Sequence, residues 1–370
     1  MKVIVIRSNL KNSISVVEKS TGDNLNLPIL KNVLIEALDN KIKLTTTNLE
    51  VAILSVTPGK IIEDGKITVP AGIFSNIIGT LQTERLNLEK KGNKLEIKTD
   101  TYEAAIQGLP ADDFPITPKI KDQSQYIEIK GATLKGAIEQ VLVAAQFSDL
   151  RPELNSVFFN FLPEGIKLVA TDSFRLAEKT ILKDQFNSNH KEHFNLLIPL
   201  KTTQEILRIF GDEDVVKICH DDNQILFKNG QKELLSRVLD GKFPDYEAII
   251  PKKFSGEIIV NRQELQSALK LAGIFGAKSS EVKLKTKEGK KFVEISSSDQ
   301  AVGDNKYILP AKASGEIGEI IFNWRYIADA LKATKSEDIF FGVNGEEKPA
   351  EIKPLGDSSY LYVLKPISGA

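Results

Sequence analysis

The residues most capable of chemistry lie in Leu168–Lys179, LVATDSFRLAEK, where Asp172 stands beside Ser173 with Arg175 two places on. A carboxylate, a hydroxyl and a guanidinium could act as base, nucleophile and charge stabiliser. No G-x-S-x-G elbow holds the serine, and no histidine lies at a predictable offset. Asp and Ser in a turn between strands are also explained by side-chain bonds to the local backbone. His190 and His193, spaced His-x-x-His in a polar stretch, are a weak metal signal; Cys219 beside His220 has no third orienting group. P-loop, dinucleotide and H-E-x-x-H motifs are absent. The expectation is a protein without catalytic residues, cofactor or metal, with a hydrolase centred on Asp172 and Ser173 as the alternative.

Composition narrows the class. Lys and Arg number 49 against 50 Asp and Glu, a net charge of −1, so bulk charge does not coat nucleic acid, although a local basic face stays open. No apolar run reaches membrane-spanning length, and the opening MKVIVIRSNLKNS is too short in apolar residues for a signal sequence. A single cysteine fits a reducing compartment, so a cytoplasmic protein is expected.

The elements that must position these residues repeat. A strand ending in Pro or Asn opens an amphipathic helix in ITVPAGIFSNIIGTL (67–81), LLIPLKTTQEILRIF (196–210) and IIFNWRYIADALKAT (320–334). An alternating hairpin recurs in KIKLTTTNLEVAILSV (41–56), GIKLVATDSFRLAEKTI (165–181) and KKFVEISSSDQAVGD (290–304), aligning Leu44, Val169 and either Val293 or Ile295. GLPADDFPITP (108–118) and GKFPDYEAIIP (241–251) close two of the three copies, aligning Phe114 with Phe243. Three domains follow, at 1–122, 126–249 and 252–370. The class is α+β, each domain an antiparallel sheet with two helices: 8–19 and 71–82, 131–146 and 201–210, 261–273 and 325–334.

Helical periodicity buries Leu10, Ile14 and Val17 in the first helix, Leu134, Ile138, Val141 and Ala145 in the third, and Leu265, Ala268, Leu269 and Ala272 in the fifth. It turns outward Lys11, Lys19, Lys135, Lys201, Arg208, Arg262, Lys270, Arg325 and Lys332, whereas helix 71–82 offers only Ser75, Asn76, Thr80 and Gln82. Outward lysines are ordinary in soluble proteins. Polar-basic helices with few carboxylates also suit phosphate contact without base reading.

VATDSFRLA (169–177), with LPILKNVLIEA (27–37), LTTTNLEVAI (44–53), LPADDFP (109–115), RPELNSVFFNF (151–161), GKFPDYEAIIP (241–251) and YVLKPI (362–367), resembles the bacterial sliding clamps, the beta subunits of DNA polymerase III. The resemblance implies the DNA clamp fold and a head-to-tail ring dimer of six domains around double-stranded DNA, bound without sequence preference. Twelve helices would line the hole, with the cations above and Arg151 facing DNA. The ring would tether the replicative polymerase for processive synthesis; the runner-up is a monomeric or dimeric scaffold of the same fold that binds peptides without encircling DNA, ahead of the hydrolase. The resemblance also implies a pocket for short hydrophobic peptides of the polymerase, clamp loader and repair proteins. Carried over by motif, its wall would comprise Leu154, Thr171, Ser173, Phe174, Arg175 and Leu176, then Pro244 and Ile249, then Asn323, Tyr326, Pro349, Val363, Leu364, Pro366 and Ile367. Ala104 and Ile106 of one protomer would meet Ile274 and Phe275 of the next. Three departures stand out: Ser173-Phe174 replaces the family's Gly-His, Gly72 replaces an arginine, and the chain ends in Ser368-Gly369-Ala370 instead of Arg-Leu.

Overall fold

The computed structural model describes residues 1–147, 151–190, 192–275, 280–287, 289, 291–315 and 317–367, so the terminal Ser-Gly-Ala lies outside the described residues. One order of elements occurs three times. The first repeat runs β1 (Lys2–Ile6), α1 (Arg7–Val17), β2 (Asn32–Leu38), β3 (Lys41–Thr47), β4 (Val51–Pro58), β5 (Lys60–Glu63), β6 (Gly65–Pro70), α2 (Ala71–Thr80), β7 (Arg85–Lys91), β8 (Lys94–Lys98) and β9 (Glu103–Gln107). The second has β10 (Ile127–Lys130), α3 (Gly131–Leu142), β11 (Ser156–Leu162), β12 (Gly165–Thr171), β13 (Arg175–Leu182), β14 (Phe186–Ser188), β15 (Phe194–Pro199), α4 (Leu200–Ile209), β16 (Val215–His220), β17 (Gln224–Lys228) and β18 (Lys232–Arg237). The third has β19 (Gly256–Asn261), α5 (Arg262–Phe275), β20 (Glu281–Lys287), β21 (Phe292–Asp299), β22 (Gly303–Gly315), β23 (Ile320–Asn323), α6 (Trp324–Ala333), β24 (Asp338–Val343), β25 (Ala350–Pro354) and β26 (Tyr360–Leu364). In the third repeat the continuous β22 takes the place of two strands.

The chain forms two compact units. The first, Met1–Ala132 with Asn187–His190 and Gln204–Val238, holds a five-stranded sheet, β5-β1-β7-β8-β9. It also holds a nine-stranded sheet, β14-β10-β16-β17-β18-β4-β3-β2-β6, in which β18 of the second repeat pairs antiparallel with β4 of the first, Lys232 opposite Ser55 and Ser236 opposite Val51. The second unit holds a twelve-stranded sheet, β15-β11-β12-β13-β26-β25-β24-β19-β22-β21-β20-β23. There β26 pairs with β13 in the same way, Tyr360 opposite Lys179 and Leu364 opposite Arg175.

Burial follows periodicity. Leu10, Ile14 and Val17 of α1, and Leu265, Ala268, Leu269 and Ala272 of α5, are buried as expected. Asn261 caps α5 by accepting from the Gln263 and Glu264 amides at 3.0 and 3.1 Å, and Asn323 caps α6 by accepting from the Arg325 amide at 3.0 Å. Two expectations shift. Helix α3 ends at Leu142, and Ala144, not Ala145, is buried beyond it. The hairpin alignment is off by one: Thr45, Val169 and Ser296 are each paired with the fourth residue of the next strand, Leu54, Glu178 and Lys306. In a strand that slip exchanges the two faces, because side chains alternate with period two.

Candidate functional site

The Thr171–Arg175 turn is closed by its own side chains. Asp172 Oδ1 accepts from the amides of Phe174 and Arg175 at 2.9 and 3.0 Å, and its Oδ2 accepts from Arg175 Nε at 3.0 Å. Thr171 Oγ1 donates to the Arg175 carbonyl at 2.7 Å and accepts from the Ser173 amide at 3.2 Å. The Asp172 carboxylate, 2 % exposed, is thus fully engaged in structure and has no bond to the Ser173 hydroxyl. Ser173 has φ +77°, the left-handed region, as does Leu49 at +76° in the matching turn of the first repeat. A glycine at this place would adopt it without strain.

Arg175 is the post of the site. Its Nη1 donates to Asp329 Oδ2 of α6 at 2.6 Å, and its guanidinium carbon lies 4.3 Å from the Tyr326 ring centroid. Strand β26 runs alongside, and past its end the Lys365 amide donates to the Phe174 carbonyl at 2.9 Å, the Ile367 amide to the Ile321 carbonyl at 2.8 Å. Behind the turn, Val169, Leu176, Leu197, Phe243, Tyr246 and Val363 form one buried cluster. Phe158 stacks on Phe243 with centroids 4.9 Å apart. Burial, with Glu178 beside it, raises the Tyr246 phenol well above its ordinary range, so it stays neutral.

Of the residues named from sequence, Thr171, Ser173, Phe174, Arg175, Leu176, Val363 and Leu364 meet along the β13–β26 seam. Leu154, Leu176, Val363 and Leu364 are buried. Leu176 and Val363, opposite each other, face the aromatic cluster, whereas Leu364, opposite Arg175 and inaccessible, faces the other side of the sheet. Phe174 is 59 % exposed and Ile249 is 42 % exposed, and both can be touched from solvent. Pro244 is exposed; Tyr326, Pro349, Pro366 and Ile367 are half-buried; Asn323 spends its side-chain oxygen on the α6 cap. Sequence reasoning missed Phe158, Phe243, Tyr246 and Asp329. The first three belong to aromatic-rich strings already singled out, but Asp329 is 154 residues from Arg175 and gives no local signal.

Among the expected phosphate contacts, Lys11, Lys19, Lys201, Arg208, Lys270, Arg325 and Lys332 are exposed, and Lys135 and Arg262 half-buried. The six helices carry nine basic and four acidic side chains, a surplus of five that the rest of the chain reverses to reach −1. Several of these cations have structural duties. Arg208 pairs with Glu205 and donates to the Ser15 and Val16 carbonyls at 2.7 Å, closing the C-terminal end of α1. Arg262 Nε donates to the Ser336 carbonyl at 2.8 Å, and Lys332 pairs with Asp329 at 3.0 Å. Arg151 is not on a helix: the loop leading into β11 brings it to Ser173, where Nη1 donates to Oγ at 3.3 Å. On α2, Ser75 donates to Glu18 and is not free for phosphate, Ile73 is 53 % exposed, and a side chain at Gly72 would meet open space.

At the free edges, Ile106 points into its own sheet opposite Leu95 and is buried, so β9 presents Glu103, Ala105 and Gln107, with Ala104 half-buried. Ile274 is 59 % exposed, and Phe275 is half-buried near Gly303 at the head of β22. Among the described residues no three His, Cys, Asp or Glu side chains gather to hold a metal.

Three successive domain profiles match the chain: the N-terminal domain of the DNA polymerase III beta subunit over residues 1–118, its central domain over 128–245 and its C-terminal domain over 247–368. The chain belongs to the DNA polymerase III beta subunit family. It is 27% identical over 374 residues to the beta sliding clamp of Synechococcus elongatus and 29% identical over 380 residues to that of Bacillus subtilis, with 99% of both chains covered in each comparison. The solved sliding clamp of Bacillus subtilis superposes with a TM-score of 0.94 at 28% identity, over 100% of both chains. The beta subunit of Thermotoga maritima gives 0.90 at 27%, again over 100% of both. Beta subunit membership explains why the chemistry-capable turn has no base and no nucleophile geometry: its polar atoms hold a seam between two repeats.

Proposed function

We infer that this chain is a DNA sliding clamp: two copies close a ring on duplex DNA and tether the replicative polymerase, with no catalytic chemistry of their own. The observation that carries the reading is a pair of unused strand edges. The strand ending the second repeat, β18, pairs with β4, and the strand ending the third, β26, pairs with β13. Among the described residues, β9 at the end of the first repeat has no neighbour beyond β8, and the first half of β22 has none beyond β21. Unpaired edges are templates for another chain. Joining β9 of one copy to β22 of the next, and the reverse, uses both edges and closes the assembly head to tail.

The positive surplus of the helices supports sequence-independent contact with phosphates, and a closed ring needs only weak contacts to stay on DNA. The β13–β26 seam supports docking of short hydrophobic peptides from the polymerase, the clamp loader and repair proteins. There Phe174 is exposed beside buried Leu176 and Val363, and the Arg175–Asp172 and Arg175–Asp329 ion pairs hold the turn against α6. The topological test is retention on nicked circular DNA in high salt, before and after linearisation. The ring predicts release when an end appears; equal retention on linear DNA refutes it.

A further inference from the structure

The three repeats let one junction be read against another. Behind the β13–β26 seam, the rings of Phe158, Phe243 and Tyr246 fill the space under the inter-repeat segment, with centroids 4.9 to 6.4 Å apart. The β4–β18 seam has the same strands and an equivalent segment, and Phe114 is buried as Phe243 is. The other two rings are missing. Leu34, the third residue of β2, stands where β11 has Phe158, and Thr117, three past Phe114, stands where Tyr246 follows Phe243. Ala52 replaces Leu176, and Glu233 replaces Leu361. The result is a cleft of about 700 Å³ lined by these residues with Leu235 and Phe114, within the roughly 300–1,000 Å³ usual for ligand sites.

Charge narrows the occupant. Glu36 pairs with Lys43 at 3.5 Å and Lys66 with Asp112 at 2.6 Å, while Glu233 stands opposite Lys228 across β17 and β18. Exposed Lys119 is left over on the cleft wall, a local surplus of one positive charge. We propose that this cleft in the first unit is a second docking site, for a partner peptide that presents an aromatic side chain next to a carboxylate. The ring occupies the space that the sister junction fills from its own chain, and the carboxylate meets Lys119.

The probe is N-acetyl-Phe-Asp-amide, titrated into the full chain and followed by ligand-observed NMR. Thr117→Tyr, at a half-buried position, and Thr117→Tyr with Leu34→Phe restore the missing rings. Each is expected to weaken binding about tenfold or more with an unchanged or raised Tm. Lys119→Glu, on the surface, is expected to weaken it several-fold, and N-acetyl-Phe-Asn-amide should bind wild type about as weakly. Undiminished binding by the Thr117→Tyr variants overturns the proposal. So does loss of binding on Phe174→Ala, which would place the probe in the other cleft. Self-association of wild type that the filled variants lose would assign the cleft to a second copy and likewise overturn it.

Discussion

The closing strand pair can be specified residue by residue. Strands β4, β13 and β22 begin at Val51, Arg175 and Gly303, and strands β9, β18 and β26 begin at Glu103, Lys232 and Tyr360. In both observed seams the first residue of one strand faces the fifth of the other: Val51 faces Ser236, and Arg175 faces Leu364. Transferring that register puts Gly303 opposite Gln107, Asn305 opposite Ala105 and Tyr307 opposite Glu103 of the next protomer. Directly opposed antiparallel residues have Cα atoms about 4.5–5.5 Å apart, inside the roughly 4.4–6.8 Å reach of a disulfide. A partner displaced by two residues moves about 6.8 Å along the strand, to a separation of about 8 Å, which a disulfide cannot span. Ala105→Cys with Asn305→Cys should therefore oxidise to a covalent dimer joined at two seams. Ala105→Cys with Gly303→Cys or with Tyr307→Cys should not. The assay is non-reducing electrophoresis after mild oxidation; the native Cys219 is buried and does not compete. Equal cross-linking at 303 or 307 would refute the transferred register. A stable dimer that cross-links at none of the three would refute the β9–β22 joint itself.

Other outcomes follow from single contacts. Phe174→Ala removes an exposed ring, so Tm should hold while affinity for a hydrophobic polymerase-derived peptide falls about tenfold, measured by fluorescence anisotropy; unchanged affinity would move the docking site elsewhere. Ser173→Gly relieves the φ of +77° and should stabilise the chain by about 1 kcal/mol in urea unfolding, whereas a loss would mean that the Arg151 bond outweighs the strain. Glu294 loses hydration in its buried site, but Lys287, Lys306 and Lys285 outweigh that and hold its carboxyl down to about 2, against an ordinary 4.5. A depressed carboxylate contributes stability above its unfolded value that is lost as pH falls from about 4.5 towards 2. Glu294→Gln should accordingly be less stable at pH 7 by at most about 3 kcal/mol, with the gap to wild type closing in that acid window; a gap independent of pH would remove the charge explanation.

The docking seam shows how far reading along the chain extends. The recurrence of the hairpin and the strand-to-helix string marks the three copies because each repeat must bury the same alternating strands and amphipathic helices. Alternation also marks Leu176 and Val363 as apolar strand positions. It does not say that Leu364 is wholly covered, since that depends on β25 and β13 flanking β26 on either side. Nor does it place Arg151 against Ser173, because the path of a loop into β11 depends on what it packs against.

The sequence alone determined what rests on local periodicity and recurrence: three α+β repeats, the inward faces of α1 and α5, and a T-D-S turn whose polar atoms serve the backbone. Tertiary structure decided what depends on residues distant along the chain. It paired Arg175 with Asp329, assigned Arg208 to the end of α1 and, among the described residues, left β9 with no strand beyond β8 and the first half of β22 with none beyond β21. Spacing along a strand or helix reports which way a side chain faces. Which side chain meets it depends on how separate elements are brought together, and that is set by the burial of the whole chain.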